Sequence, residues 1–204
     1  MRLYLVRHAE STANVRKILD TALPGPPLTD LGQEQAQTLA DKLAGESIAA
    51  VYASHATRAQ QTAAPLATAL AMEVQVIEGV HEVGVGELEG RGDQEALRAY
   101  MGTVQSWTRG DLSATMPGGE SGFGVRQRYT TAVGELRAKH EPLQDHAIVL
   151  VSHGGSIRLA AEWLADNVRP ELADQGLIPN TGIVELDTLD DGAWRCLSWA
   201  GMPM

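Results

Sequence analysis

The chain has 204 residues, a single cysteine and a formal net charge of −10, with 44% apolar and 21% charged residues. That length suits one folded domain, and so negative a molecule lacks the basic face that nucleic acid or an anionic membrane requires. Cys196 by itself allows no internal disulfide, as in a reducing cytoplasm, and the apolar run before Arg7 is too short for a signal-peptide core.

In chain order, residues 3–6 form an apolar β-type run that delivers Arg7 and His8 side by side onto a loop. Open α/β sheets carry their chemistry at such strand ends. An imidazole there can act as a nucleophile, and a guanidinium can hold a phosphate by two parallel hydrogen bonds. Thr29 reads as an N-cap and Gly45 as a stop, around a helix with Leu31, Gln35, Leu39 and Leu43 at near-helical spacing. Residues 48–53 predict a second strand, followed by a helix from near Thr57 to about Met72. Arg58 stands in the first turn of that helix, where free N–H groups and the macrodipole favour an anion.

The loop 80–90 offers the carboxylates Glu82, Glu87 and Glu89 among glycines. Gly84, Gly86, Gly90 and Gly92 suggest a pliable start to a segment that continues as a helix to about Trp107 and ends at Pro117-Gly118-Gly119. A further helix over residues 121–140 sets Val125, Tyr129, Val133 and Leu136 on one stripe, with Arg126 and Arg128 off it. Residues 148–151 read as a buried strand leading into His153, Gly154 and Gly155, whose glycines let backbone approach a ligand closely. The helix after them carries Ile157, Ala160, Ala161 and Leu164 as its apolar positions. Residues 182–186 and 194–199 flank Asp190-Asp191-Gly192 as a hairpin, with Trp194 and Trp199 as packing residues and residues 187–191 as an acidic rim. His140 and His146 lie beside a polar stretch and are expected to be solvated. His55 and His81 neighbour the candidate residues and are expected to line the mouth or cap turns.

Five segments, in order, resemble the histidine phosphatase superfamily, the phosphoglycerate-mutase-like proteins: Arg7-His8-Ala9-Glu10-Ser11-Thr12-Ala13-Asn14, Leu28-Thr29-Asp30-Leu31-Gly32-Gln33-Glu34-Gln35-Ala36, the run from Ser54 to Ala63, Pro117-Gly118-Gly119-Glu120-Ser121, and Ser152-His153-Gly154-Gly155. The resemblance spans residue 2 to about Thr181. It implies an α/β fold, a three-layer α/β/α sandwich with a mostly parallel mixed sheet, one domain over residues 1–204 and a small cap at about residues 83–117. It also implies phosphomonoester hydrolysis through phosphohistidine on a small phosphorylated metabolite, without cofactor. His8 would be the nucleophile, His153 a protonated donor to the phosphoryl oxygens and Glu82 the general acid, by its match to the family's acid position. Arg7, Arg58, Asn14 and Gly154 would hold the phosphate.

Three positions depart from the family pattern. Ala9 stands for the usual glycine, adding a methyl near the phosphate, while His81 replaces a frequent arginine and Leu88 a frequent tryptophan. Glu10, Glu87 and Glu89 compete with Glu82 as carboxylates. The histidines are not at short metal-ligand spacings, so no metal site is expected. A phosphoglycerate mutase uses the same core but must hold a second anion, and the cap's basic residues are only Arg91, Arg98 and Arg109. The same motifs would also suit a phosphoprotein phosphatase, and the same fold could serve a non-catalytic module. Loss of His8, Arg58 or His153 would have marked such a module, and all three are present. The sequence leaves open the phosphomonoester, the role of those cap arginines and the oligomeric state.

Overall fold

Near-continuous apolar runs such as residues 3–6 and 147–151 make strands buried on both faces, and strands of that kind need helices on each side. The computed structural model describes residues 1–140, 146–171, 178–189 and 192–204. β1 (Arg2–Arg7), β2 (Ile48–Ala53), β3 (Val74–Val76), β4 (Ala147–Ser152), β5 (Ile183–Thr188), β6 (Trp194–Trp199) and β7 (Met202–Pro203) form one sheet in the order β3-β2-β4-β1-β5-β6-β7. The pairs among β1 to β4 are parallel, and β5, β6 and β7 are added antiparallel.

The period of two sorts the core into layers. Leu3, Leu5, Ile148 and Leu150 face Tyr129, Val133 and Leu136 of α5 (Gly122–His140) and Ile157, Ala160 and Ala161 of α6 (Gly154–Leu164). Tyr4, Val6, Val149 and Val151 face the opposite way, onto Leu39 and Leu43 of α2 (Asp30–Leu43) and Ala59, Ala63 and Leu66 of α3 (Thr57–Ala69). This is the expected three-layer sandwich. Each fully buried leucine contributes about 1.5–3 kcal/mol through burial alone.

Residues 83–117 build most of a third apolar cluster. Val83, Val85 and Leu88 pack with Ala96, Val104 and Trp107 of α4 (Gln94–Thr108), and with Val125 of α5 and Leu159 of α6. Asp93 caps α4 by accepting from Ala96 N at 3.0 Å, and Trp107 Nε1 donates to Ala114 O at 2.8 Å. Two of the glycines expected to be pliable, Gly86 and Gly92, serve close approach instead. A Cβ on Gly86 would lie 2.3 Å from the Gly118 carbonyl carbon, and one on Gly92 would lie 2.4 Å from Lys17 O.

Other differences from the sequence expectations have local causes. α3 ends at Ala69, short of Met72, and Ala71 with φ 54° reverses the chain into β3. β3 has only three residues, of which Gln75 and Val76 are exposed, so no apolar run announces it. The turn at Asp190-Asp191 lies outside the described residues, although β5 and β6 pair as a hairpin requires. Asp187 of the acidic run pairs with the N-terminal ammonium at 3.4 Å. His140 is not solvated. The last turn of α5 packs on the sheet, leaving His140 6% exposed with Nε2 2.7 Å from Tyr52 Oη. His146 is exposed, with Nδ1 2.8 Å from Ser47 Oγ.

Candidate active site

Register brings the site together. Arg7 on β1 is paired with Ser152 on β4, so the next residues, His8 and His153, leave the sheet side by side. His8 N donates to Ser152 O and Ser54 N to Val151 O, each at 3.0 Å, which aligns the ends of β1, β4 and β2 in one row. The two imidazole rings meet edge-on, with centroids 5.2 Å apart.

Hydrogen bonds determine the tautomers. His8 Nδ1 lies 2.7 Å from Ala9 O and must donate to it, leaving the Nε2 lone pair to accept from Arg58 Nε at 3.1 Å. Arg58 Nη2 donates to His153 Nδ1 at 3.2 Å, so His153 carries its proton on Nε2 and donates it to Ser54 Oγ at 2.7 Å. Both rings are neutral. Burial, then the Arg58 charge, pushes His8 down to about 3 and His153 well below the ordinary imidazole value.

The guanidinium groups are anchored but not saturated. Arg7 Nη1 donates to Ile178 O, and Arg58 Nη2 also donates to Asp20 O at 3.1 Å. Arg7 Nε and Arg58 Nη1 are buried without a hydrogen-bond partner among the described residues, Asp20 Oδ1 standing 4.0 Å from the latter. Two unpaired cationic donors beside two neutral imidazoles form a place for an anion. Glu82 stands at its edge on the N-terminus of α6. Among the described residues, Oε1 accepts from Ser156 N at 2.8 Å and Val83 N at 2.9 Å, and Oε2 accepts only from Gly155 N, at 3.0 Å.

A family model described as the histidine phosphatase superfamily (branch 1) matches residues 3–201. The chain belongs to this superfamily. A putative phosphoserine phosphatase 2 of Hydrogenobacter thermophilus is 30% identical over 185 residues, covering 91% of this chain and 88% of that one. The PE-PGRS family protein PE_PGRS11 of Mycobacterium tuberculosis is 34% identical over 98% of this chain, which spans only 36% of that longer protein. A mycobacterial glucosyl-3-phosphoglycerate phosphatase, solved in complex with VO3, superposes with a TM-score of 0.82 at 27% identity, over 98% of both chains.

The other family motifs of this histidine phosphatase act through the backbone. Thr29 caps α2 through Gly32 N at 3.0 Å and donates to Glu10 Oε1 at 2.7 Å, while Gln35 accepts from Glu10 N at 2.8 Å. A Cβ on Gly32 would sit 2.0 Å from Glu10 O, so the glycine lets α2 press against the loop that carries His8. The Ala9 methyl points into a small cluster with Leu28 and Ala36, not toward the phosphate site. A Cβ on Gly154 would meet Arg7 Nε at 3.1 Å, so that glycine makes room for the arginine. Asn14 Oδ1 accepts from Ser11 N at 3.0 Å and Asn180 Nδ2 at 3.3 Å, tying the rim together. The free amide expected at the start of α3 is partly taken: Thr57 N donates to Pro24 O at 2.8 Å.

Glu89 is occupied by Thr21 N, Thr21 Oγ1 and Ala22 N, and Glu87 is exposed, which leaves Glu82 as the carboxylate at the histidines. His55 and His81 line a groove of about 730 Å³ against α5. Nothing in the sequence singles out Ser54, Thr62, Tyr100, Arg128 or Asn180 for the site. Thr62 Oγ1 accepts from Ala9 N at 2.9 Å and donates to Arg58 O at 2.7 Å, joining the loop after His8 to the first turn of α3. Asn180 Nδ2 donates to His8 O at 2.9 Å. Tyr100 reaches in from α4, its hydroxyl 2.6 Å from where a Cβ on Gly155 would lie.

Proposed function

We propose that this protein hydrolyses phosphomonoesters of small metabolites by transferring the phosphoryl group to His8 and then to water. The single observation that carries the reading is the buried Arg58 guanidinium set against two neutral imidazoles through Nε and Nη2, with Arg7 Nε and Arg58 Nη1 left without partners among the described residues. Phosphoryl transfer is achieved mainly by positioning and by donors around the three equatorial oxygens, which is what such a cluster supplies.

In the first step His8 Nε2 attacks phosphorus, the P–N bond forms and the P–O bond to the leaving group breaks. The departing oxygen takes a proton from Glu82 Oε2, the carboxyl oxygen with the fewer acceptor contacts. In the second step water attacks phosphorus, the P–N bond breaks and Glu82 takes a proton from the water. His153 is neutral beside Arg58, and a phosphate dianion in the same space favours its imidazolium form, which then donates to a phosphoryl oxygen.

Hydrolysis is favoured over mutase chemistry by the cap. Arg91 pairs with Asp93 and Glu95 in solvent, and Arg98 and Arg109 are exposed, so these side chains do not converge on the histidines as a second anion site. The names of similar proteins, phosphoserine phosphatase and glucosyl-3-phosphoglycerate phosphatase, support a small phosphorylated metabolite as substrate. No helix among the described residues is long and apolar enough to cross a membrane. The acidic charge and the single buried Cys196 suit a cytoplasmic protein of one domain, with residues 83–117 as its cap and without nucleic-acid or membrane partners. The test runs a coupled phosphoglycerate mutase assay, supplied with 2,3-bisphosphoglycerate, beside phosphate release from a panel of monoesters. Phosphate release on the best substrate should exceed mutase turnover, and the reverse would overturn the assignment.

A further inference from the structure

The segment from Gly79 to Gly84 carries Glu82 but belongs to no helix or strand, so its peptide groups need partners from elsewhere. One side chain supplies most of them. Arg128 of α5 donates through Nη1 to Gly79 O at 2.7 Å and His81 O at 2.8 Å, and through Nη2 to Glu82 O at 3.0 Å. Its remaining donors meet Glu120, Nε to Oε1 at 2.7 Å and Nη2 to Oε2 at 2.9 Å. All five guanidinium N–H groups are thereby engaged. Glu120 Oε2 accepts from Gly84 N at 2.7 Å, which secures the far end of the segment, and Ser152 Oγ donates to Val80 O at 2.7 Å. Four consecutive carbonyls are therefore satisfied, three of them by Arg128.

We propose that Arg128, braced by Glu120, is the positioning residue that holds the Glu82 backbone beside the phosphate site. The carboxylate end of Glu82 is fixed separately, by Gly155 N and Ser156 N of α6. The two anchors act on opposite ends of one residue: α5 sets where its Cα stands and α6 sets where its oxygens point. Gly79 follows from the same arrangement. With φ +83° it brings the segment onto α5, and a Cβ there would lie 2.7 Å from Arg128 O. A lysine at 128 has three donors on a single nitrogen and cannot span three carbonyls and a carboxylate. A displacement of about 1 Å in a reacting group is enough to cost on the order of 10²-fold in rate.

The proposal rests on the reading of Glu82 as proton donor, and a double-mutant cycle separates the two. Arg128→Lys, Glu82→Gln and the double variant of the full chain are assayed on glycerol 2-phosphate, whose alkoxide needs protonation, and on p-nitrophenyl phosphate, which needs little. Arg128→Lys should lower kcat/KM about 30- to 100-fold on the first and less than about 5-fold on the second. The inhibition constant of inorganic phosphate should stay within about 2-fold, since the arginine does not touch the phosphate site. In the Glu82→Gln background, Arg128→Lys should cost less than about 2-fold further. A full additional loss in that background overturns the positioning role. Equal losses on both esters for Glu82→Gln overturn the acid role instead, and the non-additivity still decides Arg128. If circular dichroism shows Arg128→Lys unfolded, Glu120→Gln takes its place. It keeps the Arg128 contacts to the carbonyls but removes the charge that braces them, and should give the same split between esters at about 5- to 10-fold. Equal losses on the two esters from that variant, with Glu82→Gln selective, would also overturn the proposal.

Discussion

The row of residues at the ends of β1, β2 and β4 and the cap over it follow opposite rules. In the row the polar groups are buried and engaged with one another: His8 is 4% exposed, Arg58 3%, and Ser54 and His153 0%. In the cap the buried residues are apolar except Thr108, around Trp107 and Met116, and its arginines face outward, as Arg91 does with its side chain 40% exposed. Burial makes a charge or hydrogen bond in the row count for far more than one on the cap, where water screens it. The row is therefore where we propose that the reaction takes place. The cap contributes enclosure and the Tyr100 hydroxyl, whose proton is held more tightly because burial and the nearby Glu82 disfavour the phenolate.

The sharpest way to break this contrast is to remove the proposed nucleophile. His8→Ala should lower turnover about 10⁴-fold or more. Acid-labile, base-stable phosphate should form on the parent protein during turnover and be absent from the variant, with no effect of chelator on the parent; full activity in the variant would refute the nucleophile assignment. Next in size, Arg58→Ala removes the donor to both imidazoles and the proposed donor to the phosphoryl oxygens at once. A loss of about 10³-fold in kcat/KM is expected from steady-state kinetics, and a loss below about 10-fold would place Arg58 outside the transition-state contacts.

A smaller effect concerns stability. The folded pKa of His8 is about 3 against 6.5 for the free side chain, because burial, reinforced by Arg58, disfavours the imidazolium. Between those values the unfolded chain binds a proton that the folded one refuses. The stabilisation is thus complete above about pH 6.5 and is lost as pH falls toward 3, at about 1.4 kcal/mol per pH unit. Urea denaturation at pH 7, 6, 5 and 4 should show His8→Asn with a shallower dependence by about that slope, and parallel curves would contradict a buried neutral His8. The smallest effect belongs to the cap. Replacing Arg91, Arg98 and Arg109 together by glutamine should leave kcat/KM for a monoester within about 2-fold, and a larger loss would mean that the cap's charge reaches the substrate.

Legibility follows the same division. Arg7, His8 and His153 can be read because each terminates an apolar strand run, Arg58 because it opens a helix, and Glu82 through the resemblance. Ser54 and Arg128 cannot be singled out. A serine after a strand and an arginine on a polar helix face are ordinary until their partners, His153 and the carbonyls of Gly79, His81 and Glu82, are in view. His140 reads as solvated from its polar neighbours in the chain, whereas its actual neighbour is Tyr52, 88 positions away. Gly86 and Gly92 read as pliable because a glycine's freedom is visible in sequence and the backbone pressed against it is not.

What the sequence by itself determined was the alternation of strands and helices, the two faces of the core and the residue types at the strand ends. These depend on periodicity and on neighbours within one element, where the physics is local. Only the tertiary structure decided which tautomers the histidines take, which guanidinium nitrogens stay open to an anion, and which groups hold Glu82. Those outcomes depend on hydrogen bonds between segments far apart in the chain, from 46 positions for Arg128 to Glu82 to 95 for Arg58 to His153. Their geometry exists only once β1, β2 and β4 are in register and the site is closed from water.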